Sequence, residues 1–321
     1  LKGELGFDGF VVSDWAGIDD IDGEPGFSPT DVATAVNAGI DMLMVPEHHP
    51  KMMQILKQEV ESGAITMERV DEAVSLILAK KFEVGLFEDP FARRGYASEI
   101  RGDAHRALAR EAAAKSVTLL KNEGVLPLGK SAKIFVAGKN ADDVGHQCGG
   151  WTLTWQGGSG LTTPGTSLLD GIREVAGPDA TVDFAVDGGG AEGHDVAVVI
   201  VGEEPYAEMF GDRHDPDGLA LDAADQAVLA RVRESGVPMV VVVVSGRPLI
   251  LGDGVAGWEG LVAAWLPGSE GSGVADVLFG DVTPGGKLPH SWPRSHDQIP
   301  INVGDADYDP LFAFGFGLTY G

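Results

Sequence analysis

Two carboxylates lie in segments that follow apolar runs, which is where parallel α/β domains place their ligand sites. Asp14 comes after Phe10-Val11-Val12-Ser13, and Glu208 lies in the acidic loop that follows Val198–Val201. A pair of carboxyl groups can divide the work of a nucleophile or base and a general acid. An aspartate at a strand end is more often a turn former or a helix cap, so the pair needs support from its neighbours.

Tryptophans near both carboxylates indicate the kind of substrate. Trp15 is adjacent to Asp14, and Trp151 and Trp155 lie in the glycine-rich loop Gly149–Gly158. The apolar C–H face of a sugar stacks on indole, while its hydroxyls need acceptors such as carboxylates. This combination favours a carbohydrate substrate, with Trp15 and Trp151 in contact with it. Packing of Trp155 in the core is an equally good interpretation.

The overall composition excludes several classes of protein. The chain has 321 residues, of which 49 are acidic and 23 basic, for a formal net charge of −26. Because such a field repels phosphate, we expect neither a nucleic acid nor an anionic membrane as a partner. No stretch approaches the roughly 18 apolar residues of a membrane span. A hydrophobic content of 44% supports a sizeable core and excludes global disorder.

Neither a metal nor a cofactor is expected from the residue types that usually bind them. A single cysteine, Cys148, excludes an internal disulfide and every multi-cysteine metal site. The histidines show no H-E-x-x-H or comparable spacing. The acidic cluster of Asp212, Asp215 and Asp217 lacks the closing glutamate of an EF-hand, which favours a solvated loop over a calcium site.

The elements that position Asp14 alternate between strand and helix. Strands are predicted at Phe10–Val12 and Asp41–Pro46, and helices over 32–38 and 52–82, the second interrupted near Gly63. This order implies parallel strands with crossover helices. Two strands cannot bury both faces of a parallel sheet, so this part is interpreted as the tail of a larger domain.

A second sheet is predicted after a charged segment. Residues 89–104 contain Pro90 and Gly95 without sustained periodicity, and they are interpreted as an interdomain linker. Continuous Val/Ile runs, typical of parallel strands covered on both faces, then alternate with helical patterns and predict an α/β sandwich. The predicted strands are 133–137, 181–186, 195–201, 238–244 and 261–265, and the predicted helices are 105–120, 167–175, 223–234 and 274–279.

One motif matches a nucleotide-binding pattern but has the wrong context. Gly124–Ser131 reads G-x-x-x-x-G-K-S, the P-loop pattern. A P-loop follows a strand and opens a helix, whose N-terminal amides bind the phosphates. Here the predicted helix 105–120 precedes the motif and the predicted strand 133–137 follows it. We therefore expect a helix-to-strand turn and no nucleotide.

Several segments, in the right order, resemble glycoside hydrolase family three, the retaining β-glucosidases and exo-β-glucanases. The resemblance extends over almost the whole chain. The matching segments are Gly9–Trp15, Ala35–Pro46, Leu119–Asn122 with Leu126–Leu128, Cys148–Trp151, Gly202–Glu208 and Phe314–Tyr320.

Residue by residue, the resemblance implies a catalytic role for both carboxylates. Asp14 would be the nucleophile and Glu208 the general acid/base, on the two sides of an interdomain cleft. Trp15 and Trp151 would clamp the leaving-group sugar, and Glu203 would contribute to substrate binding. The reaction implied is retaining hydrolysis of β-glucosidic bonds, with release of glucose from the non-reducing end of β-glucans or β-glucosides. The Tyr-Ala-Glu loop argues against the family's N-acetylglucosaminidases, which draw their acid/base from the first domain.

The resemblance also implies a fold and its boundaries. Residues 1–88 would be the C-terminal portion of an incomplete (β/α)8-type barrel domain, 89–104 the linker, and 105–321 an α/β sandwich domain with a mostly parallel sheet. Roughly 300 residues of barrel would be missing at the N-terminus, judging from barrel size.

Two consequences of a missing barrel portion concern activity and location. The fragment alone is expected to be inactive, and the alternative from another class is a non-catalytic sugar-binding or scaffold fragment of such an enzyme. The polymeric substrates of the relatives suggest a secreted or periplasmic location.

Overall fold

The computed structural model describes residues 1–92, 94–213 and 218–320, which form two compact units, 1–96 and 97–321. The boundary between the units falls inside the predicted linker 89–104. Asp215 and Asp217, two of the three aspartates of the possible calcium loop, lie outside the described residues. Within the described ranges, no helix is both long and apolar enough to cross a bilayer.

The first unit is built mainly from helices. They are α1 (Lys2–Leu5), α2 (Pro29–Asn37), α3 (His49–Glu61) and α4 (Met67–Glu83). The two predicted strands are present only as a parallel bridge between Val12 and Met42, so extended strands at 10–12 and 41–46 were wrong. Their pairing is limited to a few bonds, including Met42 N to Val11 O at 3.0 Å and Ser13 N to Met42 O at 3.0 Å.

Local capping explains where the helices of the first unit begin. Ser28 Oγ accepts from Asp31 N, and Asp31 Oδ2 accepts from Ser28 N at 2.7 Å, which is a capping box ahead of Pro29. Burial alone would raise the pKa of Asp31, but hydrogen bonds to its carboxylate from the backbone and side chain of Ser28 and from Asp22 N lower it below its usual value. The helical stretch predicted over 52–82 breaks at Gly63, where φ is +81°. The buried side chains between these helices are Ile18, Phe27, Val32, Ala35, Val36, Ile55 and Ile65.

The second unit is a six-stranded sheet covered by helices. Its strands are β1 (Thr118–Asn122), β2 (Lys133–Ala137), β3 (Thr181–Phe184), β4 (Val196–Gly202), β5 (Met239–Val244) and β6 (Gly260–Trp265). Its helices are α5 (Asp103–Ser116), α6 (Val144–Cys148), α7 (Leu168–Ala176), α8 (Ala223–Glu234) and α9 (Ser272–Leu278). Short 3₁₀ turns occur at Arg94–Glu99, Glu208–Gly211, Gly252–Gly257 and His296–Gln298.

The sheet has the strand order β1-β6-β5-β4-β2-β3, and every pair except β1–β6 is parallel. The predicted α/β class and mostly parallel sheet are confirmed. Every residue of β4 and β5 is buried, because α7 and α9 pack against one face and α8 against the other. This two-sided cover is why both strands are continuous apolar runs.

One predicted helix continues too far. The helix predicted over 105–120 ends at Ser116, and Thr118–Asn122 forms the antiparallel edge strand β1, with Thr118 opposite Ala263 of β6. Thr118 and Leu119 are fully buried there. Pairing with β6 satisfies the backbone of this apolar segment, which tertiary packing favours over another helical turn.

The P-loop-like segment Gly124–Ser131 connects β1 to β2, so a strand and not the predicted helix precedes it. No helix opens after it, because β2 begins at Lys133. Asn122 Oδ1 accepts from Gly124 N at 3.1 Å and from Leu126 N at 3.0 Å, and these amides are therefore not free to bind phosphate. The segment is a turn between two strands.

Candidate active site

Asp14 lies on a tight turn that the neighbouring backbone holds in place. Ser13 Oγ accepts from Met44 N at 2.8 Å and donates to the carbonyl of Asp14 at 3.0 Å. The same carbonyl accepts from Gly17 N at 3.0 Å, and the Asp14 carboxylate accepts from Trp15 N at 2.7 Å. Asp14 is exposed, and 69% of the Trp15 surface is exposed. The turn therefore presents a carboxylate and an indole side by side.

A buried aspartate anchors the segment that precedes Asp14. The Asp41 carboxylate accepts from Val11 N at 2.8 Å, from Lys2 Nζ at 2.9 Å and from Arg69 Nη2 at 2.7 Å. Burial by itself would raise the pKa of Asp41, but these three donors together lower it below its usual value. Asp41 lies in one of the segments that resemble the family, yet the sequence alone did not indicate this anchoring contact.

Glu208 begins the 3₁₀ turn in the loop after β4, and its side chain is exposed. Its φ is +51°, in the left-handed region that residues with a β-carbon seldom occupy. Such outliers persist where the surroundings fix the backbone, and they are frequent at functional sites. The loop thus constrains the backbone of Glu208 beyond the carboxyl end of β4.

Glu203 differs from the other predicted site residues because its carboxylate is mostly buried, with 15% of the side chain exposed. Oε1 accepts from Arg247 Nε at 2.8 Å and from Nη2 at 2.7 Å, and Oε2 accepts from the Tyr206 hydroxyl at 3.2 Å. Burial, with the Glu203 charge, raises the pKa of Tyr206 to about 12. Substrate contact by Glu203 stays a prediction, since both carboxylate oxygens already have partners within the protein.

The tryptophan loop presents an exposed aromatic cluster. Trp151 is 68% exposed and lies 6.5 Å from Trp155, which in turn contacts Phe210 edge-on at 5.6 Å. Trp155 is 43% exposed, so its packing in the core was the wrong alternative. Phe210 is two residues beyond Glu208, and the cluster therefore extends to the acid/base candidate.

Close backbone approach fixes the tryptophan loop against the loop of Glu208. A β-carbon on Gly150 would lie 2.1 Å from the carbonyl oxygen of Tyr206, so only glycine fits there. Gln156 Oε1 accepts from Ala207 N at 2.9 Å, directly before Glu208. Trp151 has a φ of +59°, so its backbone, like that of Glu208, lies in the left-handed region.

Within the second unit, the structure brings Glu203, Glu208 and Trp151 into adjoining loops; Asp14 and Trp15 belong to the first unit. Sequence reasoning missed Arg247 and Gln156. Arg247 follows β5 by three residues, so the rule that sites lie beyond strand ends could have indicated it. Across the described ranges, no three histidine, cysteine or carboxylate side chains group to hold a metal ion.

A cavity of ≈ 970 Å³ is lined in part by the Glu203 loop. Its wall includes Glu203, Tyr206, Lys139 and Asp222, whereas Glu208 and Trp151 do not line it. Because neither the acid/base candidate nor the exposed indole reaches this space, we do not assign the substrate to it.

Two family domains match the chain. Residues 117–320 match the glycosyl hydrolase family 3 C-terminal domain, and residues 1–79 match the glycosyl hydrolase family 3 N terminal domain. The chain therefore belongs to glycosyl hydrolase family 3, as the resemblance of its motifs indicated.

Individual relatives extend this result. The lysosomal beta glucosidase of Dictyostelium discoideum is 33% identical over the whole chain, and the periplasmic beta-glucosidase of Salmonella typhimurium is 31% identical. The chain spans 43% and 49% of the length of these two relatives. Among solved structures, the exo-1,3/1,4-beta-glucanase of a Pseudoalteromonas species is 39% identical with a TM-score of 0.89, over 99% of this chain and 41% of that one. The chain thus corresponds to less than half of each of these proteins.

Proposed function

We propose that this chain carries the catalytic carboxylates of a retaining β-glucosidase, which releases glucose from the non-reducing end of β-glucosides or β-glucans. The observation that carries the proposal is the placement of Asp14 and Glu208. Each stands exposed in a loop after a paired backbone segment, close to an exposed aromatic side chain, Trp15 or Phe210. Membership of a family with beta-glucosidases and an exo-glucanase among its members supports the substrate class.

The proposed reaction has two steps and balances without a cofactor. Asp14 attacks the anomeric carbon while Glu208 donates its proton to the glycosidic oxygen, so the C–O bond to the leaving group breaks as the glycosyl ester forms. Glu208, now ionised, takes a proton from water, whose oxygen displaces the Asp14 carboxylate. Two inversions retain the β configuration, and a separation of about 5–5.5 Å between the carboxyl groups is required.

The aromatic side chains have a positioning role in this proposal. Trp15 and Trp151 stack on the leaving-group sugar, which holds its glycosidic oxygen near the Glu208 proton. A neutral sugar suits the strongly acidic chain, because the field that repels phosphates has no effect of that kind on an uncharged substrate. We also propose a periplasmic or secreted location, as for the relative from Salmonella typhimurium.

A trapped intermediate tests the assignment of Asp14. With the active protein that contains this chain, a 2-deoxy-2-fluoro-β-glucoside bearing an activated leaving group should accumulate as an ester. Peptide mass spectrometry should then find the label on Asp14. Asp14→Asn should lose both label and turnover, whereas Asp8→Asn, a change at a 91% exposed side chain six residues earlier, should keep them. A label on another carboxylate, or turnover by Asp14→Asn, would refute the assignment.

One observation favours a second candidate function, a non-catalytic sugar-binding fragment. The second unit on its own carries the exposed cluster of Trp151, Trp155 and Phe210. In that case calorimetry should detect glucoside binding that Trp151→Ala removes and Asp14→Asn leaves unchanged, with no hydrolysis by any polypeptide that contains the chain.

A further inference from the structure

The guanidinium of Arg247 stands at the centre of a set of contacts beyond the ends of β4 and β5. Nε and Nη2 both donate to Glu203 Oε1, at 2.8 and 2.7 Å, and Nη1 donates to the carbonyl of Gly211 at 2.6 Å. Its carbon lies 4.4 Å from the centre of the Tyr206 ring, a cation–π distance. One side chain therefore joins three positions of a single loop.

These contacts enclose the acid/base candidate. Glu203 and Tyr206 precede Glu208, and Gly211 follows it, so Arg247 holds the loop at both ends. The Tyr206 hydroxyl closes the set by donating to Glu203 Oε2 at 3.2 Å. A β-carbon on Gly211 would lie 2.3 Å from the Tyr206 ring, which indicates how closely the loop folds over that ring.

A third contact comes from the tryptophan loop. Gln156 Oε1 accepts from Ala207 N, the amide immediately before Glu208. Glu208 itself has a left-handed φ of +51°, which a free loop would leave for a commoner conformation. The contacts of Arg247 and Gln156 oppose this relaxation.

We propose that Arg247 is a positioning residue for the acid/base: through Glu203, Tyr206 and Gly211 it fixes the backbone from which the Glu208 carboxyl reaches the glycosidic oxygen. The inference rests on the proposed function. Lysine could not replace it, because a single ammonium lacks the planar fork that bonds a carboxylate and a carbonyl together.

Kinetics with two leaving groups separates positioning from simple stabilisation of the fold. Loss of general acid assistance slows substrates with poor leaving groups, such as phenyl β-glucoside, far more than dinitrophenyl β-glucoside, which departs unassisted. In the active protein that contains this chain, Glu208→Ala should lose about 10²–10⁴-fold with the phenyl substrate. Arg247→Gln should lose about 10–100-fold with that substrate, as misplaced catalytic groups do, and much less with the dinitrophenyl one.

A matched ion pair supplies the control. Arg110 of the same unit donates to both oxygens of Asp276, at 2.7 and 2.6 Å, and to Glu174 at 2.7 Å. Arg110→Gln should lower thermal stability but slow both substrates equally. Gln156→Met leaves the Arg247–Glu203 pair intact and should show the same leaving-group effect. It serves as the second variant if Arg247→Gln folds poorly.

Hydrogen exchange gives a second readout that requires only the folded chain. The amides of Ala207, Phe210 and Asp212 have acceptors within the two loops, so they should exchange slowly. In Arg247→Gln they should exchange at least about tenfold faster, as expected for a loop that opens locally, whereas Arg110→Gln should leave them unchanged.

The outcomes distinguish the two levels of the proposal. Equal losses with both substrates in Arg247→Gln, or unchanged exchange at 207–212, would overturn the positioning role while Glu208→Ala still shows its leaving-group dependence. If the rate loss of Glu208→Ala does not depend on the leaving group, the proposed function is overturned. The exchange measurement would then test only whether Arg247 holds the loop in place.

Discussion

Glu208 combines an exposed carboxylate with a backbone that residues other than glycine avoid. The strain cannot come from burial of its side chain, because that side chain faces solvent. It comes from the loop, which Arg247 and Gln156 hold on either side of Glu208. The backbone from which the carboxyl extends is therefore constrained, and that suits a group which must meet a single oxygen of the substrate.

Two substitutions at this position should differ in stability although both remove the acid. The free energy of unfolding of Glu208→Gly should exceed that of Glu208→Ala by about 1 kcal/mol, because glycine adopts a φ of +51° without the β-carbon penalty. The glycine variant should therefore unfold at a higher denaturant concentration. Urea titration of the chain, followed by the fluorescence of the buried Trp258 and Trp292, measures the difference. Equal stabilities, or a more stable alanine variant, would show that the left-handed backbone is relaxed in solution.

Asp225 is the buried carboxyl whose protonation should affect stability. It is 1% exposed, accepts from Lys139 Nζ at 3.0 Å and from Gly202 N at 3.1 Å, and burial raises its pKa to about 6. Below the unfolded pKa of 3.8 the group is protonated in both states, and between 3.8 and about 6 only the unfolded state ionises. The contribution of Asp225 to stability therefore falls as pH rises through this window.

We expect the stability of the native chain relative to Asp225→Asn to fall by at most about 3 kcal/mol between pH 4 and 6.5, since one pKa unit corresponds to about 1.4 kcal/mol. Urea titrations of both proteins at several pH values give this difference. Asp222→Asn is the control: Lys139 also pairs with Asp222 and, against the effect of burial, lowers its pKa below the unfolded value of 3.8. The stability of the native chain relative to Asp222→Asn should therefore rise with pH below about pH 4 and change little between pH 4 and 6.5. A relative stability that rises with pH for Asp225→Asn would contradict the expected shift.

At the scale of elements, one buried carboxylate connects the helices of the first unit to the loop of Asp14. The Asp41 carboxylate accepts hydrogen bonds from Val11 N, Lys2 and Arg69. Arg69 also donates to the carbonyls of Val36 and Ile40. α4 is thereby tied to the end of α2 and to the segment that precedes the nucleophile candidate. Removing the charge of Asp41 is costly, because Lys2 and Arg69 then lose a buried anion and keep only the half-exposed Glu72 as an acidic partner.

Asp41→Asn should destabilise the first unit by about 3–5 kcal/mol, the usual effect of removing one partner of a buried pair. The measurement is hydrogen exchange at Val11 N, whose acceptor is Asp41. Glu72→Gln, which alters a 51% exposed partner of the same Arg69, should change stability by less than about 1 kcal/mol.

The effect of Asp41→Asn on the free energy of unfolding should depend on pH. Because the pKa of Asp41 is lowered in the folded state, its contribution is present above the unfolded value of 3.8 and is lost as pH falls through the folded value. The difference in free energy of unfolding between the native chain and Asp41→Asn should therefore become smaller below about pH 4. If this difference in free energy of unfolding is constant down to pH 2, or is absent at neutral pH, the ion pair does not form.

The sequence predicted elements well wherever burial alone determined the pattern. The central strands β4 and β5 are continuous apolar runs covered on both faces, so their residues allowed only one interpretation. Thr118–Leu120, the first part of β1, was mistaken for the end of a helix, since the edge pairing of this strand with β6 depends on residues more than a hundred positions away. Arg247 was missed for the same reason: its partner Glu203 is 44 positions earlier in the chain.

For the whole molecule, the important fact is that the chain spans less than half of its curated relatives. In the first unit, Val12, Met42 and Met44 on the paired segments around Asp14 are exposed. Apolar side chains at paired backbone positions normally contact a neighbouring strand or helix. Together with the family match over 1–79, this exposure supports the proposal that further barrel residues precede Leu1 in the active protein.

We therefore expect the 321-residue chain, produced alone, to hydrolyse an aryl β-glucoside at least about 10²-fold more slowly than a polypeptide with the preceding barrel residues, because groups that orient the sugar can contribute that much. Both proteins should be assayed at equal folded concentration, with Asp14→Asn of the longer one as the blank. The exposed apolar face should also bind a hydrophobic dye in the short chain and lose most of that binding in the long one. Equal rates for the two would mean that this chain holds the complete sugar site, and an unchanged dye signal would mean that the added residues do not cover Val12, Met42 and Met44.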